Sequence, residues 1–261
     1  MTMHPDPDGI HRQRLAAQGR RGRAPRGRRR RRVRWWLLTL PLLFIALSLA
    51  LTAGLRQSNP PTTAFMLAAR IEAIAAGRGV VTLEHEWLPL ALISGWAGAA
   101  VIAAEDQKFA YHHGFDLDAV ADAWQTQAAG GPLRGASTIS QQLAKNLYLW
   151  SGRNWLRKGL EAWFTVLLET FLSKSRLLEL YLNVVEFGPG VYGVDAASRH
   201  YFGHSAAGLS AEEAAALAAV LPSPRTFSVT APSPYMRARQ HWIARQMLQL
   251  GGIDVVARLP R

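Results

Sequence analysis

Three short segments hold reactive side chains at helical spacings. In EDQKFAYHHG (105–114), Glu105, Phe109 and His112 stand at i, i+4 and i+7, the spacing of one helical stripe, with Asp106 beside the first carboxylate. In STISQQLAKN (137–146), Thr138, Gln142 and Lys145 repeat that spacing with a hydroxyl, an amide and an ammonium. In RKGLE (157–161), Arg157 and Lys158 precede Glu161 by one turn, on its side of a helix. A carboxylate of this kind can take a proton from a hydroxyl. A second carboxylate among fixed cations suits a reaction that expels an anion. Each segment alone has a plainer reading: ordinary helix ion pairs, an acidic helix end, a surface histidine, a solvated face. Two glutamates, several cations and hydrogen-bonding side chains within one stretch point instead to a site, because such groups are costly to bury without partners.

The elements that must position these groups read as mostly helical. Thr62–Gly77 has helical composition and stops at Gly77 and Gly79. Trp87–Ala104 is uncharged but carries Pro89, Gly95 and Gly98, so the reading is a buried or membrane-grazing helix rather than a second span. Asp116 can cap a helix to about Ala129, and Gln127–Ala136 (QAAGGPLRGA) is a Gly/Pro loop. Ser137–Trp150, Asn154–Ser173 and Ser175–Val184 read as three further helices, and Gly188–Pro189–Gly190 as a turn. Ser210 with Glu213 has the pattern of a capping box opening an Ala-rich helix to Leu221. A last helix, about Tyr235–Leu250, carries Arg237, Arg239 and Arg245. No run of alternating strands is evident.

The net charge of +12 is unevenly placed: residues 1–34 hold twelve arginines against Asp6 and Asp8, and the remainder is nearly neutral. A tail so rich in Arg, Gly and Pro cannot bury a core. Trp35 to Leu55 follows without a charge, long enough to cross the roughly 30 Å hydrocarbon core of a bilayer. Leu51–Thr52–Ala53 is a poor signal-peptide cleavage site, which favours a retained anchor. Arginines on its N-terminal side keep that side cytoplasmic and send the rest outward. The basic run therefore reads as a topology signal and not as a nucleic-acid surface. The chain has no cysteine, hence neither disulfides nor thiolate chemistry. The expected organisation is a tail over 1–34, an anchor over 35–55, a linker over 56–61 and one domain over 62–261.

EDQKFAYHHGFD (105–116), RGASTISQQLAKNLYL (134–149), RKGLEAWFTVLLE (157–169) and KSRLLELYLNVVEFGPGVYGVDAASRHYFG (174–203) resemble, in order and spacing, four signature blocks of glycosyltransferase family 51, the peptidoglycan polymerases. The likeness runs through the Pro222–Ser223–Pro224 segment and covers about residues 65–250. It is strongest to the monofunctional biosynthetic transglycosylases, since no Ser-x-x-Lys and Lys-Thr-Gly pair of a penicillin-binding domain is present. Ala136 stands where many members have Gly, and His113 where an acidic residue is common.

The resemblance implies a mainly α fold: a lysozyme-like, two-lobed helical glycosyltransferase domain behind a single transmembrane helix. It implies polymerisation of lipid II at the outer face of a bacterial inner membrane, by attack of a GlcNAc 4-hydroxyl on the MurNAc anomeric carbon with loss of undecaprenyl pyrophosphate. Glu105 is then the candidate base, and Glu161 lies across the cleft. Lys145, Arg157 and Lys158 face the pyrophosphate, Thr138 and Gln142 bind sugar or phosphate oxygens, and Asp106, Phe109 and His112 shape the Glu105 end. No ligand cluster specifies a metal, although the pyrophosphate could carry Mg or Mn. The expected partners are lipid II, the growing glycan strand, membrane lipids and division or elongation proteins. A lytic muramidase or lytic transglycosylase is the nearest rival, and an inactive membrane-tethered scaffold the next.

Overall fold

The computed structural model describes residues 26–128, 130, 137–152 and 154–260, with side chains from Thr39 onward. Most of the Arg-rich tail, most of the Gly/Pro loop, and the side chains of Trp35 to Leu38 lie outside the described residues. The chain forms two compact units, Met1–Leu47 and Ser48–Arg261.

The described part of the first unit is the beginning of helix α1 (Arg26–Gly54), which starts inside the stretch that the sequence reading gave to the tail. Arginine is a good helix former, which favours the helix although Gly27 and the like charges oppose it. Leu40, Leu42, Leu43 and Phe44 are exposed around Pro41. Among the described residues no helix is long and apolar enough to cross a membrane.

The second unit is helical around one core. It begins with the end of α1, whose Ser48 and Thr52 are buried. Ser48 Oγ accepts from Trp163 Nε1 at 3.1 Å, and Thr52 Oγ1 lies 3.4 Å from the Tyr148 hydroxyl. Arg176 then binds the chain that follows: Nε donates to the Leu55 carbonyl at 2.9 Å, and Nη2 to the Ser58 carbonyl and Asn59 Oδ1, both at 2.8 Å. Helix α2 (Ala64–Ala75) is capped by Thr63, whose Oγ1 accepts from Met66 N.

Helix α3 (Gly95–Glu105) is the centre of the core, with every residue from Ala97 to Ala103 buried. Its small residues let neighbours approach: a Cβ on Gly98 would lie 2.7 Å from Val256 Cγ2 and 3.1 Å from Leu178 Cδ2. The uncharged stretch from Trp87 is therefore not one helix. Its first half is extended apart from a 3₁₀ turn at Leu90–Leu92, as Pro89 and Gly95 favour. Nor does Ile102 graze a membrane, for it is 1% exposed and lies in the core.

Helix α4 (Leu117–Ala128) starts at Asp116, whose Oδ1 accepts from Ala119 N. Helices α5 (Ile139–Tyr148), α6 (Trp155–Phe171) and α7 (Lys174–Val184) begin at caps Thr138, Asn154 and Ser173. Each cap oxygen satisfies a first-turn N–H that no carbonyl within the helix can reach. α5 packs against both α6 and α7, and α2 packs on α5.

A small sheet, missed by the sequence reading, joins one strand between α2 and α3 to two strands after α7. Strands β1 (Glu84–His85), β2 (Glu186–Gly188) and β3 (Val191–Tyr192) lie in the order β1-β3-β2, with β1 parallel and β2 antiparallel to β3. Strands of two or three residues are too short to show alternation. The turn at Pro189–Gly190 joins β2 to β3 as expected. Then come α8 (Val194–Phe202), α9 (Ala211–Val220) behind the Ser210–Glu213 capping box, α10 (Pro234–Gln249) and the short α11 (Asp254–Ala257). α9 and α10 pack on each other and on α3.

Candidate active site

Glu105 is the last residue of α3, and its side chain is 12% exposed. Gln142 Nε2 donates to its Oε2 at 2.8 Å, and Arg239 Nη2 to its Oε1 at 3.2 Å. The Tyr181 hydroxyl donates to Gln142 Oε1 at 2.7 Å. With that oxygen receiving a proton, the amide must turn its NH₂ toward Glu105. Tyr181 is fully buried, and burial, then the charges of Glu105 and Asp106, push its phenol far above the usual range. It therefore stays a donor. Burial is also the main cause that raises the Glu105 carboxyl. The Gln142 hydrogen bond and the charges of Arg239 and Lys145 pull it back, while Asp106 adds to the rise. The result is a carboxylate that is oriented, basic and short of water.

The stripe expected over Glu105, Phe109 and His112 does not form, because α3 ends at Glu105 and the chain turns. Asp106, the C-cap, accepts from His112 Nε2 at 2.9 Å and from the backbone N of Ile139 at 2.9 Å. Gly114 N donates to His112 Nδ1, so Nε2 carries the proton given to Asp106. A carboxylate that binds locally in this way competes with helix continuation. Asp106 and His112 thus brace the turn after Glu105 against the start of α5. Gly114, at φ 89°, closes that turn where a Cβ would lie 2.7 Å from Thr165 Cγ2. Phe109 is fully buried under Lys174, whose Nζ lies 4.6 Å from its ring centroid.

Thr138 likewise shares no helix face with Gln142 and Lys145. It is the α5 cap, its hydroxyl accepting from Gln141 N and donating to the Gly114 carbonyl at 2.7 Å. Gln142 and Lys145 both line a cavity of about 960 Å³ together with Glu105, and Thr138 lines a smaller one with Glu105 and Asp106.

Lys145 joins the two glutamates. Burial lowers its pKa, as do Arg157 and Lys158, while Glu161 and Glu105 oppose the fall. Its Nζ lies 5.6 Å from the centroid of Phe65 on α2. Beyond it on α6, Glu161 is 3% exposed and accepts from Arg157 Nη1 at 2.6 Å and Lys158 Nζ at 2.5 Å. Arg157 and Glu161 are buried and Lys158 is half-exposed, so this is not the pair of ordinary surface bridges that spacing alone allowed. Arg157 Nε is buried without a partner. Arg157, Lys158 and Glu161 do not line the cavity; Lys145 is the link between it and them.

Sequence reasoning missed two parts. Tyr181 and Arg239 position the groups that it found. For Arg239 a signal existed, since Tyr235, Arg239 and Trp242 have the spacing of one helix face and all line the cavity. Among the described residues, no group of three or more His, Asp or Glu could hold a metal ion. The charged groups that act on Lys145 are two carboxylates, Glu161 and Glu105, and two cations, Arg157 and Lys158, and no step below is routed through a metal ion.

Residues 73–248 match the family model described as Transglycosylase. Three curated relatives share the name biosynthetic peptidoglycan transglycosylase. One from Xanthomonas oryzae pv. oryzae is 51% identical over 224 residues, 86% of this chain and 91% of that protein. One from Pseudomonas aeruginosa is 51% identical over 220 residues, 84% of this chain and 94% of the relative. One from Shewanella amazonensis is 52% identical over 217 residues, 83% and 87% of the two chains.

Proposed function

Since the chain belongs to the transglycosylase family and is a peptidoglycan glycosyltransferase, we propose that it polymerises lipid II with Glu105 as the base. The observation that carries this reading is a buried glutamate, aimed by an amide and a guanidinium, in a cavity that Lys145 connects to the Arg157–Lys158–Glu161 triad.

The acceptor GlcNAc places its 4-hydroxyl at Glu105, which takes the proton as the oxygen attacks. The new O–C1 bond forms while the bond from C1 to the phosphate oxygen breaks, and the diphosphate leaves with the electron pair. It needs little protonation, so a second acid of the hydrolase kind is unnecessary. Lys145, Arg157 and Lys158 stabilise its charge in a site with little water. Glu161 holds the two α6 cations in place before the substrate arrives.

The domain is read as two lobes of lysozyme-like kind about this cavity. The apolar run from Trp35 through α1 is read as a single inner-membrane anchor, with the tail cytoplasmic and the enzyme outside; its exposed leucines support that reading. A raised carboxyl would also suit the acid of a glycan-cleaving enzyme. The cations about Glu161 favour synthesis, because two of them for one carboxylate leave a positive charge that suits an anionic leaving group.

The test is incubation of the detergent-solubilised full chain with lipid-linked disaccharide. Polymer is expected, and Glu105→Gln should lower its rate by about 10²–10⁴-fold with the fold retained. Shortened sacculi without polymer would overturn the reading.

A further inference from the structure

Helix α10 turns Tyr235, Arg239 and Trp242 toward the main cavity. Arg239 is engaged by Glu105, but the reaction as described leaves the two rings without a role. Tyr235 is 61% exposed and Trp242 37% exposed, though large aromatic surface is costly to leave in water. Trp242 also lines a second, smaller cavity of about 160 Å³ next to Glu105, so it stands where both cavities meet at the base. The main cavity is lined as well by the polar side chains of Gln142 and Lys145, and Ser137 lines both cavities.

Aromatic rings and hydrogen-bonding side chains lining one cavity suit a ligand with a C–H face and a hydroxyl edge, which is a sugar ring. The π face of an aromatic ring is negative and attracts the weakly positive C–H groups of a pyranose. Positions 235 and 242 are separated by two helical turns, about 10.5 Å along the axis. That rise is close to the length of one β-1,4-linked disaccharide unit.

We propose that Trp242 and Tyr235 form a stacking platform for the saccharide backbone. Trp242 lies under the acceptor ring whose 4-hydroxyl meets Glu105, and Tyr235 under a ring about one disaccharide away. The platform reads the glycan itself, independent of its lipid, diphosphate or peptide. The proposal rests on the polymerase reading above and adds to it how the strand is held in register during attack.

The probe is a lipid-free, peptide-free tetrasaccharide of alternating GlcNAc and MurNAc, titrated into the full chain in detergent and followed by saturation-transfer NMR. Wild type should bind it, and Trp242→Ala and Tyr235→Ala should each weaken binding roughly tenfold, whereas Trp242→Phe should stay within about threefold. In polymerisation the two alanine variants should show a raised KM with kcat nearly unchanged. Tyr235 is exposed enough that its loss leaves the fold intact, which protects the test if Trp242→Ala unfolds. Unweakened tetrasaccharide binding in Tyr235→Ala, or a loss confined to kcat, would overturn the platform and leave the polymerase reading standing. Absence of any polymer from wild type would overturn the polymerase reading instead.

Discussion

Arg239→Met separates the role of the guanidinium from general damage to the fold. The substitution keeps an unbranched apolar stem and removes a charge that lies 3.2 Å from Glu105 Oε1. At an effective dielectric near 20 the gross attraction at that distance is about 5 kcal/mol. Desolvating both groups offsets much of it. A hydrogen bond to a charged group retains a net of about 1.5–3 kcal/mol. Its loss raises the Glu105 titration further, because Arg239 is one of the charges that hold it down. The sign follows from the role of a base. Only the carboxylate accepts the proton, so activity falls as pH drops through the Glu105 pKa, which burial has already raised. Without Arg239 the acidic limb of kcat/KM for polymerisation must move to higher pH, and much of the activity must return at alkaline pH. An acidic limb that stayed in place, moved lower, or fell equally at every pH would refute the argument.

Tyr181→Phe removes the hydroxyl that orients Gln142, and should cost about 1–3 kcal/mol in urea unfolding because Gln142 Oε1 loses its donor. Its kcat should fall as the amide becomes free to turn its oxygen toward Glu105; an unchanged kcat would mean that another contact sets the amide. Lys174→Met strands Glu169, which accepts from Lys174 at 2.8 Å with both side chains 7% exposed. It should cost about 3–5 kcal/mol, read as a lower urea midpoint. Gly98→Val forces α3 away from Val256 and Leu178 and should cost about 1–3 kcal/mol, seen as a drop in Tm.

What the sequence made legible was local. Asp116, Ser210 and Glu213 announced helix starts because a cap bonds to backbone within three residues, and the structure has each one. The chemical identities of Glu105, Gln142, Lys145 and Glu161 were legible for the same reason: side-chain type and one-turn spacing carry them. Spacing failed where side-chain bonds outside the helix ended it. Asp106 preferred His112 and Ile139 N, so α3 stopped and Phe109 and His112 left the expected stripe. Thr138 chose the cap for a similar reason. The positioning contacts were illegible, since Arg239 meets Glu105 across 134 residues and Tyr181 meets Gln142 across 39. Trp87–Ala104 was half legible: its second half is the buried helix expected, while Pro89 and Gly95 keep the first half out of it.

The fastening of residues 48–59 bears on where the protein can be cut. Ser48, Thr52 and Leu55 are walls of the enzyme as much as they are the end of a helix. A shortened chain beginning at residue 60 would uncover Tyr148 and Trp163 and take three acceptors from Arg176 at one stroke. The useful seam for a trimmed, better-behaved protein lies upstream of Ser48. The exposed Leu49 and Leu51 in the last turns of α1 then come with the catalytic body and cannot be trimmed from it.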